Sequence, residues 1–154
     1  MEIKMRRAER AISLIESREM LNNSEYGILS TISADGQPYG VPLNYCYIQN
    51  EIFIHCAIEG RKLENIHVNN KVSFCVVGKT AILPDNFSSK YESVIAFGRI
   101  YEVIEAEKQA ALVELLRKYY GNANEKGLNY IESLREKTKV YKMVIESITG
   151  KSKK

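Results

Sequence analysis

The sequence has no long apolar run, and this absence bears on its relation to membranes. Its apolar stretches are short, as in Val94 to Phe97 and Ile52 to Ile54, whereas a helix needs about 20 apolar residues to cross a bilayer. Near the N-terminus, Glu9 and Glu16 interrupt the segment in which a signal peptide would be uniformly apolar. We therefore expect no membrane span and a cytoplasmic protein.

The sequence also has few cysteines and a small net charge. The three cysteines, Cys46, Cys56 and Cys75, are odd in number and show no CxxC spacing. We expect these cysteines to be small, buried, hydrophobic residues of a protein in a reducing compartment, and we expect no metal site. The 22 Lys and Arg residues exceed the 19 Asp and Glu by only three, which is too few to indicate nucleic acid binding. Residues 151–154 hold three of the lysines, and we predict a solvated tail there.

Several catalytic signatures are missing as well. The chain has no nucleophile elbow, Walker loop, GxGxxG fingerprint or paired carboxylates, which argues against a hydrolase, a kinase or a Rossmann protein. What is present is an ordinary globular composition, 45% hydrophobic and 27% charged over 154 residues. That is enough chain for one domain with a sizeable core.

Helical periodicity is visible in four segments of the chain. The clearest runs from Glu105 to Tyr120, where leucines recur at i, i+3 and i+4 and Gly121 provides a stop. The other three are a one-sided N-terminal helix, a short helix of about two turns after Gly60, and a further helix. Their predicted ranges are Arg6 to Leu21, Glu59 to Asn70 and Asn124 to Lys137.

Six stretches rich in β-branched and aromatic residues predict strands. They are Tyr26 to Ser33, Gly36 to Gln49, Glu51 to Ala57, Lys71 to Val77, Tyr91 to Glu105 and Val140 to Gly150. The first three are close enough in sequence to form an antiparallel meander with a hairpin turn at Asp35-Gly36. Gly78 to Ser89 is predicted to be a loop, and Gly98 to be a bulge in the fifth strand. Together these elements predict a small, closed or partly closed α+β barrel.

The second predicted strand contains two prolines, Pro38 and Pro42. Because proline has no N–H to donate to a neighbouring strand, part of this strand must lie at an edge or a bulge. A group other than a neighbouring strand could therefore lie against the backbone of this second strand.

A basic pair, Arg61 and Lys62, begins the short predicted helix directly after Gly60. A helix start offers unpaired N–H groups and a positive dipole end, and two cations there would complete an anion site, most naturally one for a phosphate. The alternative is a solvated basic pair on the helix surface, with Glu59 neutralising part of its charge. The residues by themselves leave both interpretations open.

His55 lies on the third predicted strand, six residues before Arg61. Strand alternation places its neighbour Cys56 on the opposite face, so the two should not share a ligand. His55 is either a hydrogen-bonded structural residue or a group that acts in catalysis. Three tyrosines at alternating positions are interpreted as core or dimer-interface residues: Tyr39, Tyr45 and Tyr47.

The order of these segments resembles a known superfamily. The segments that carry the resemblance are MRRAERAI, GILSTISADGQPYGVPLNYCY, IFIHCAIEGRKLENI, NNKVSFCVV, YESVIAFGRI and the terminal ITGK. In this order they resemble the FMN-binding split-barrel superfamily, which includes pyridoxamine phosphate oxidase, and within it the nitroimidazole-resistance proteins. The resemblance implies that residues 1–154 form one α+β domain, a six-stranded antiparallel split β-barrel with flanking helices. It also implies a homodimer with FMN at the interface.

The resemblance further implies roles for individual residues. In the superfamily a basic pair after the third strand binds the FMN phosphate, and Arg61 and Lys62 match it. His55 and Cys56 match the third-strand positions that face the cofactor. The backbone along the isoalloxazine ring corresponds to Val41, Pro42, Leu43 and Asn44. The C-terminal Arg-x-His segment with which pyridoxamine phosphate oxidase binds its substrate has no counterpart, which argues against vitamin B6 oxidation.

Two functions follow from the resemblance. The first is an FMN-dependent oxidoreductase that reduces a small planar acceptor such as a nitroaromatic, with His55 orienting the acceptor or donating a proton. The second is a non-catalytic flavin- or heme-binding carrier, or a redox sensor, on the same scaffold.

Overall fold

Seven strands form one antiparallel sheet in the computed structural model of the protein, which describes residues 4–154. The strands are β1 (Gly27–Ile32), β2 (Pro38–Leu43), β3 (Cys46–Ile48), β4 (Glu51–Cys56), β5 (Lys71–Leu83), β6 (Ser88–Val103) and β7 (Lys139–Lys153). Their order across the sheet is β2-β1-β5-β6-β7-β4-β3. The α+β class and the antiparallel sheet are confirmed, but the expected count of six strands is wrong.

Four helices surround the sheet: α1 (Leu14–Asn23), α2 (Arg61–Val68), α3 (Glu105–Tyr120) and α4 (Glu125–Leu134). Short 3₁₀ turns lie at Ala8–Arg10, Pro84–Asn86 and Arg135–Lys137. The structure confirms the predicted bounds of α3, which ends at Gly121 with a φ of 82°, a conformation that glycine adopts without strain. None of the helices among residues 4–154 combines the length and hydropathy that crossing a bilayer requires.

The predicted second strand is divided at Asn44 and Tyr45, and this division raises the strand count. Within residues 4–154 its first part, β2, pairs only with β1, and its second part, β3, pairs only with β4. The predicted three-strand meander is therefore wrong. The physical reason is Tyr45, which is fully buried and whose hydroxyl donates a hydrogen bond to the carbonyl of Leu21. This burial pulls the chain out of the ladder.

The same division shapes the sheet. Because β2 and β3 are its two edge strands, the chain passes from one edge to the other through only Asn44 and Tyr45. The two edges must therefore approach each other, since the three residue steps from Leu43 to Cys46 span at most about 11 Å. The prediction that the proline-containing strand lies at an edge is confirmed for β2.

Residues 78–89 are not the predicted loop. The β5 and β6 strands pair as far as Leu83 and Ser88, and only the 3₁₀ turn at Pro84–Asn86 separates them. This hairpin arm carries exposed apolar side chains, among them Ile82 and Phe87. Because the residues of this arm pair with each other, their burial does not alternate as it does in a core strand. The sequence therefore shows no strand pattern there.

Both ends of the chain differ from the prediction. The N-terminal helix begins only at Leu14, because Ser13 and Glu16 form a capping box there and Ala11 bridges to Lys151. The C-terminal lysines do not form a solvated tail, because residues 151–153 continue β7 and pair with β6. The predicted bulge at Gly98 is confirmed: the β6–β7 register shifts there.

The sheet separates two apolar cores. The larger lies inside the curled sheet and includes Ile52 and Ile54 of β4 together with Phe74. The smaller lies between the sheet and α3–α4 and includes Phe53 and Cys46. The burial expected for Cys46 is confirmed, whereas Cys56 and Cys75 are half-buried.

Candidate functional site

The turn from β4 into α2 depends on Gly60, whose φ of 138° lies in a region that other residues rarely adopt. The helix is then fixed to the sheet by a buried polar pair. The amide of Asn65 donates a 3.0 Å hydrogen bond to the hydroxyl of Thr31 on β1, and both side chains are at most 4% exposed. The position of the α2 N-terminus is therefore set by the strand next to β2.

Arg61 and Lys62 occupy the first two positions of α2, as predicted. Within residues 4–154 neither side chain forms an ion pair, although Glu59 and Glu64 are near in sequence. No side chain caps the N–H groups at this helix start. Two cations and uncapped backbone donors at one place form a site that suits an anion.

The ring of Tyr39, on β2, lies next to this basic pair. Its centroid is 5.8 Å from the guanidinium carbon of Arg61, within the range of a cation–π contact. The structure therefore brings the predicted phosphate-binding pair to the edge strand that carries Val41, Pro42 and Leu43. Val41 and Leu43 pack against the larger core.

His55 and Cys56 project to opposite faces of β4, as the alternation predicted. Cys56 packs against the larger core, inside the curled sheet, while His55 lines a cavity under α3 and α4. Partial burial lowers the pKa of His55, and the nearby charge of Lys62 lowers it further. The imidazole is therefore neutral at pH 7, with one N–H to donate and one nitrogen to accept. Burial raises the pKa of Cys56, so its thiol stays protonated.

The cavity beside His55 has a volume of about 210 Å³. Asn44, at the exit of β2, contributes an amide group to it, and Thr138 contributes a hydroxyl. Most of the remaining wall comes from α3 and α4, through Leu115, Leu116, Tyr119, Tyr130, Ile131 and Leu134. The structure thus brings together Asn44 and His55, two predicted site residues that are distant in the sheet order.

The link between β2 and β3 is held by two side chains of α3. The ammonium of Lys118 donates a 2.9 Å hydrogen bond to the carbonyl of Tyr45 and lies 3.6 Å from its ring centroid. The hydroxyl of Tyr119 accepts from the Tyr45 N–H at 3.0 Å and donates to the carbonyl of Glu25. Burial lowers the pKa of Lys118 to about 8. Sequence reasoning missed this clamp, because no local pattern links residues more than 70 positions apart.

No group of three or more His, Cys, Asp or Glu side chains is arranged to hold a metal ion in the described part of the chain. The basic pair at α2 and the wall of the 210 Å³ cavity are the places where the predicted site residues could hold a larger ligand.

Comparison with known families gives one match over most of the chain. A family profile described as Pyridoxamine 5'-phosphate oxidase matches residues 15–152. Comparison with curated proteins gives no match.

Solved structures with the same fold include three of note. A conserved hypothetical protein from Mycobacterium tuberculosis superposes with a TM-score of 0.84 at 22% identity, over 97% of this chain and 90% of that chain. A candidate 5-nitroimidazole antibiotic resistance protein from Bacteroides thetaiotaomicron gives 0.76 at 21% identity, over 92% and 86%. An FAD and heme binding protein from Mycobacterium smegmatis gives 0.74 at 16% identity, over 92% and 72%. At these identities the similarity shows the shared fold.

Proposed function

The chain belongs to the pyridoxamine 5'-phosphate oxidase family, and from this premise we propose that it is an FMN-binding oxidoreductase that reduces a small planar acceptor such as a nitroaromatic. One observation carries the proposal. Arg61 and Lys62 begin α2 without an ion pair to a carboxylate among residues 4–154, and such cations are free to bind the phosphate of FMN.

The residues at this site fit the chemistry of a phosphate ester. Arg61 can hold two phosphate oxygens through its planar guanidinium, while Lys62 adds a compact charge. The uncapped N–H groups at the start of α2 supply further donors. The edge position of β2 leaves one side of its backbone without a partner strand in the described structure, and the polar rim of a flavin ring can bond to such backbone groups.

We infer that the functional unit is a homodimer with FMN at the interface. The support is a row of uncharged residues on the outer face of the sheet, opposite the larger core. Cross-strand pairing aligns Pro42, Ile28, Cys75, Ile95 and Thr149. Pro42 and Ile28 are exposed and the other three residues are half-buried. An uncharged surface that crosses five strands and begins at β2 suits contact with a second copy.

The protein would bind and orient, and the cofactor would supply the redox chemistry. FMN, when bound, would supply two-electron transfer between a donor such as a reduced nicotinamide and the acceptor. His55 is neutral at pH 7, so its N–H can hydrogen-bond an oxygen of the acceptor or deliver a proton to it. We assign His55 this role, with Val41, Pro42, Leu43 and Asn44 near the flavin, whereas the side chain of Cys56 packs against the larger core on the opposite face of β4.

The test is cofactor retention in matched variants. Arg61→Ala and Lys62→Ala should each weaken FMN binding about tenfold or more, as expected for a lost charged hydrogen bond. Lys126→Ala is the control, because Lys126 occupies the second position of α4 as Lys62 does in α2. FMN affinity is measured by quenching of flavin fluorescence. Equal affinities for Lys62→Ala and Lys126→Ala would contradict the phosphate assignment.

The alternative is a non-catalytic flavin- or heme-binding carrier or redox sensor. The accessible, neutral imidazole of His55 favours it, because neutral imidazole is the form that ligates heme iron. Steady-state reduction of a nitro compound with NADPH or NADH supports the enzyme, and His55→Ala should then lower turnover while FMN stays bound. A flavin that is reduced once and never turns over, or a heme absorption band lost in His55→Ala, supports the carrier.

A further inference from the structure

The size of the cavity under α3 and α4 restricts which ligands it can hold. Its volume is about 210 Å³, below the range of about 300–1,000 Å³ of pockets for drug-sized ligands. One substituted aromatic ring fits such a space. The three fused rings of FMN with their ribityl phosphate chain would extend beyond it.

The wall of the cavity also selects by chemistry. It is mainly aliphatic and aromatic, and no carboxylate, lysine or arginine contributes to it. Its polar groups are the Asn44 amide, the His55 imidazole, the Thr138 hydroxyl and the hydroxyls of Tyr119, Tyr120 and Tyr130, all of which can donate hydrogen bonds. The charge of Lys62 acts on His55 from the adjacent helix start. Such a site favours a ring whose substituent carries acceptor oxygens.

We propose that this cavity binds the acceptor of the reaction, a compound with a single aromatic ring and a reducible nitro substituent, and that Leu116 limits it to one ring. The proposal rests on the proposed flavin function for the identity of the ligand as an acceptor. The cavity itself is defined by α3, α4 and the end of β4, apart from the basic pair assigned to phosphate.

Leu116 is well placed to set this limit because its position is fixed from behind. A methyl group at Gly127 of α4 would lie 3.0 Å from Cδ1 of Leu116, so glycine there lets the two helices approach closely. Gly127 of α4 thus lies close behind Leu116 and leaves it little room to move away from a second ring. The size of residue 116 should therefore determine the size of the ligand.

The experiment titrates two probes by calorimetry into protein with and without FMN. The probes are 4-nitrobenzoate, with one ring, and 6-nitroquinoline, with two fused rings. Leu116→Trp fills the cavity and Leu116→Ala enlarges it, while Leu128→Trp is the control because Leu128 lies on α4 outside the cavity wall. FMN content is measured in every variant by absorbance and mass.

We expect one 4-nitrobenzoate per chain and weaker binding of 6-nitroquinoline. Leu116→Trp should lower the affinity for 4-nitrobenzoate about tenfold or more, and Leu116→Ala should raise the affinity for 6-nitroquinoline about tenfold. This is the scale on which pockets discriminate between ligands by size. Leu128→Trp should change neither probe. An affinity for 4-nitrobenzoate that is unchanged in both Leu116→Trp and Leu116→Ala would overturn the proposal.

Two further outcomes separate this proposal from the proposed function. Loss of FMN in Leu116→Trp would mean that the flavin ring occupies the cavity, which overturns the acceptor site and leaves the flavin function intact. A wild-type protein that binds no FMN, yet binds 4-nitrobenzoate in the expected order of variants, would overturn the flavin function and support the one-ring site.

Discussion

The buried hydrogen bond between Asn65 and Thr31 offers a quantitative test of how α2 is positioned. Asn65→Leu keeps the shape of the side chain but leaves the Thr31 hydroxyl with only a 3.5 Å contact to the carbonyl of Tyr39. Thr31→Val leaves the Asn65 amide without its partner. Because a buried unsatisfied polar group costs about 1–3 kcal/mol, each single variant should lose that much free energy of unfolding.

The double variant is the informative one. Replacing both partners by apolar groups of similar shape removes the desolvation penalty as well as the bond, so Asn65→Leu with Thr31→Val should cost less than the sum of the two single changes. Urea unfolding gives the three free energies, and each kcal/mol corresponds to about 2–4 °C in Tm for a chain of this size. Additive losses would refute the buried bond. In Asn65→Leu, FMN should also bind more weakly, since the basic pair then loses its fixed position.

Three further predictions concern single residues. Gly98→Ala should destabilise the fold by about 1–3 kcal/mol in urea unfolding, because its Cβ would lie 2.0 Å from the carbonyl oxygen of Val144; no loss would contradict the tight bulge. Burial lowers the pKa of Lys118 from 10.5 to about 8 in the folded protein. Between pH 8 and 10.5 the unfolded chain therefore binds this proton more tightly than the folded protein does, and the free energy of unfolding should rise with pH. Lys118→Met should lack that rise, and an identical pH profile in both proteins would count against it. Cys46 should resist a thiol reagent in the native state, since it is 4% exposed and burial raises its pKa to about 12; rapid labelling of Cys46, detected by peptide mass, would disprove this.

The elements that could be predicted from the sequence are those with a local cause. The bounds of α3 follow from its leucine spacing and from Gly121, and α2 begins after Gly60 because only glycine suits that φ. The basic pair and the opposite orientation of His55 and Cys56 follow from local rules of the same kind.

The elements that could not be predicted have distant causes. The break between β2 and β3 depends on the burial of Tyr45 and on Lys118 and Tyr119, which lie more than 70 residues away. The hairpin arm depends on pairing between β5 and β6 rather than on a buried face. The cavity requires α3 and α4 to pack over His55, and the sequence shows two amphipathic helices without showing what they cover.

The central claim is that this chain binds FMN through Arg61 and Lys62 between two copies of itself. The most direct measurement is the visible spectrum of freshly purified protein, with the released cofactor identified by mass and the assembly mass determined in solution. We expect a yellow dimer that holds one FMN per chain and loses it in the Arg61→Ala, Lys62→Ala double variant. A colourless monomer that does not bind added riboflavin phosphate would contradict it.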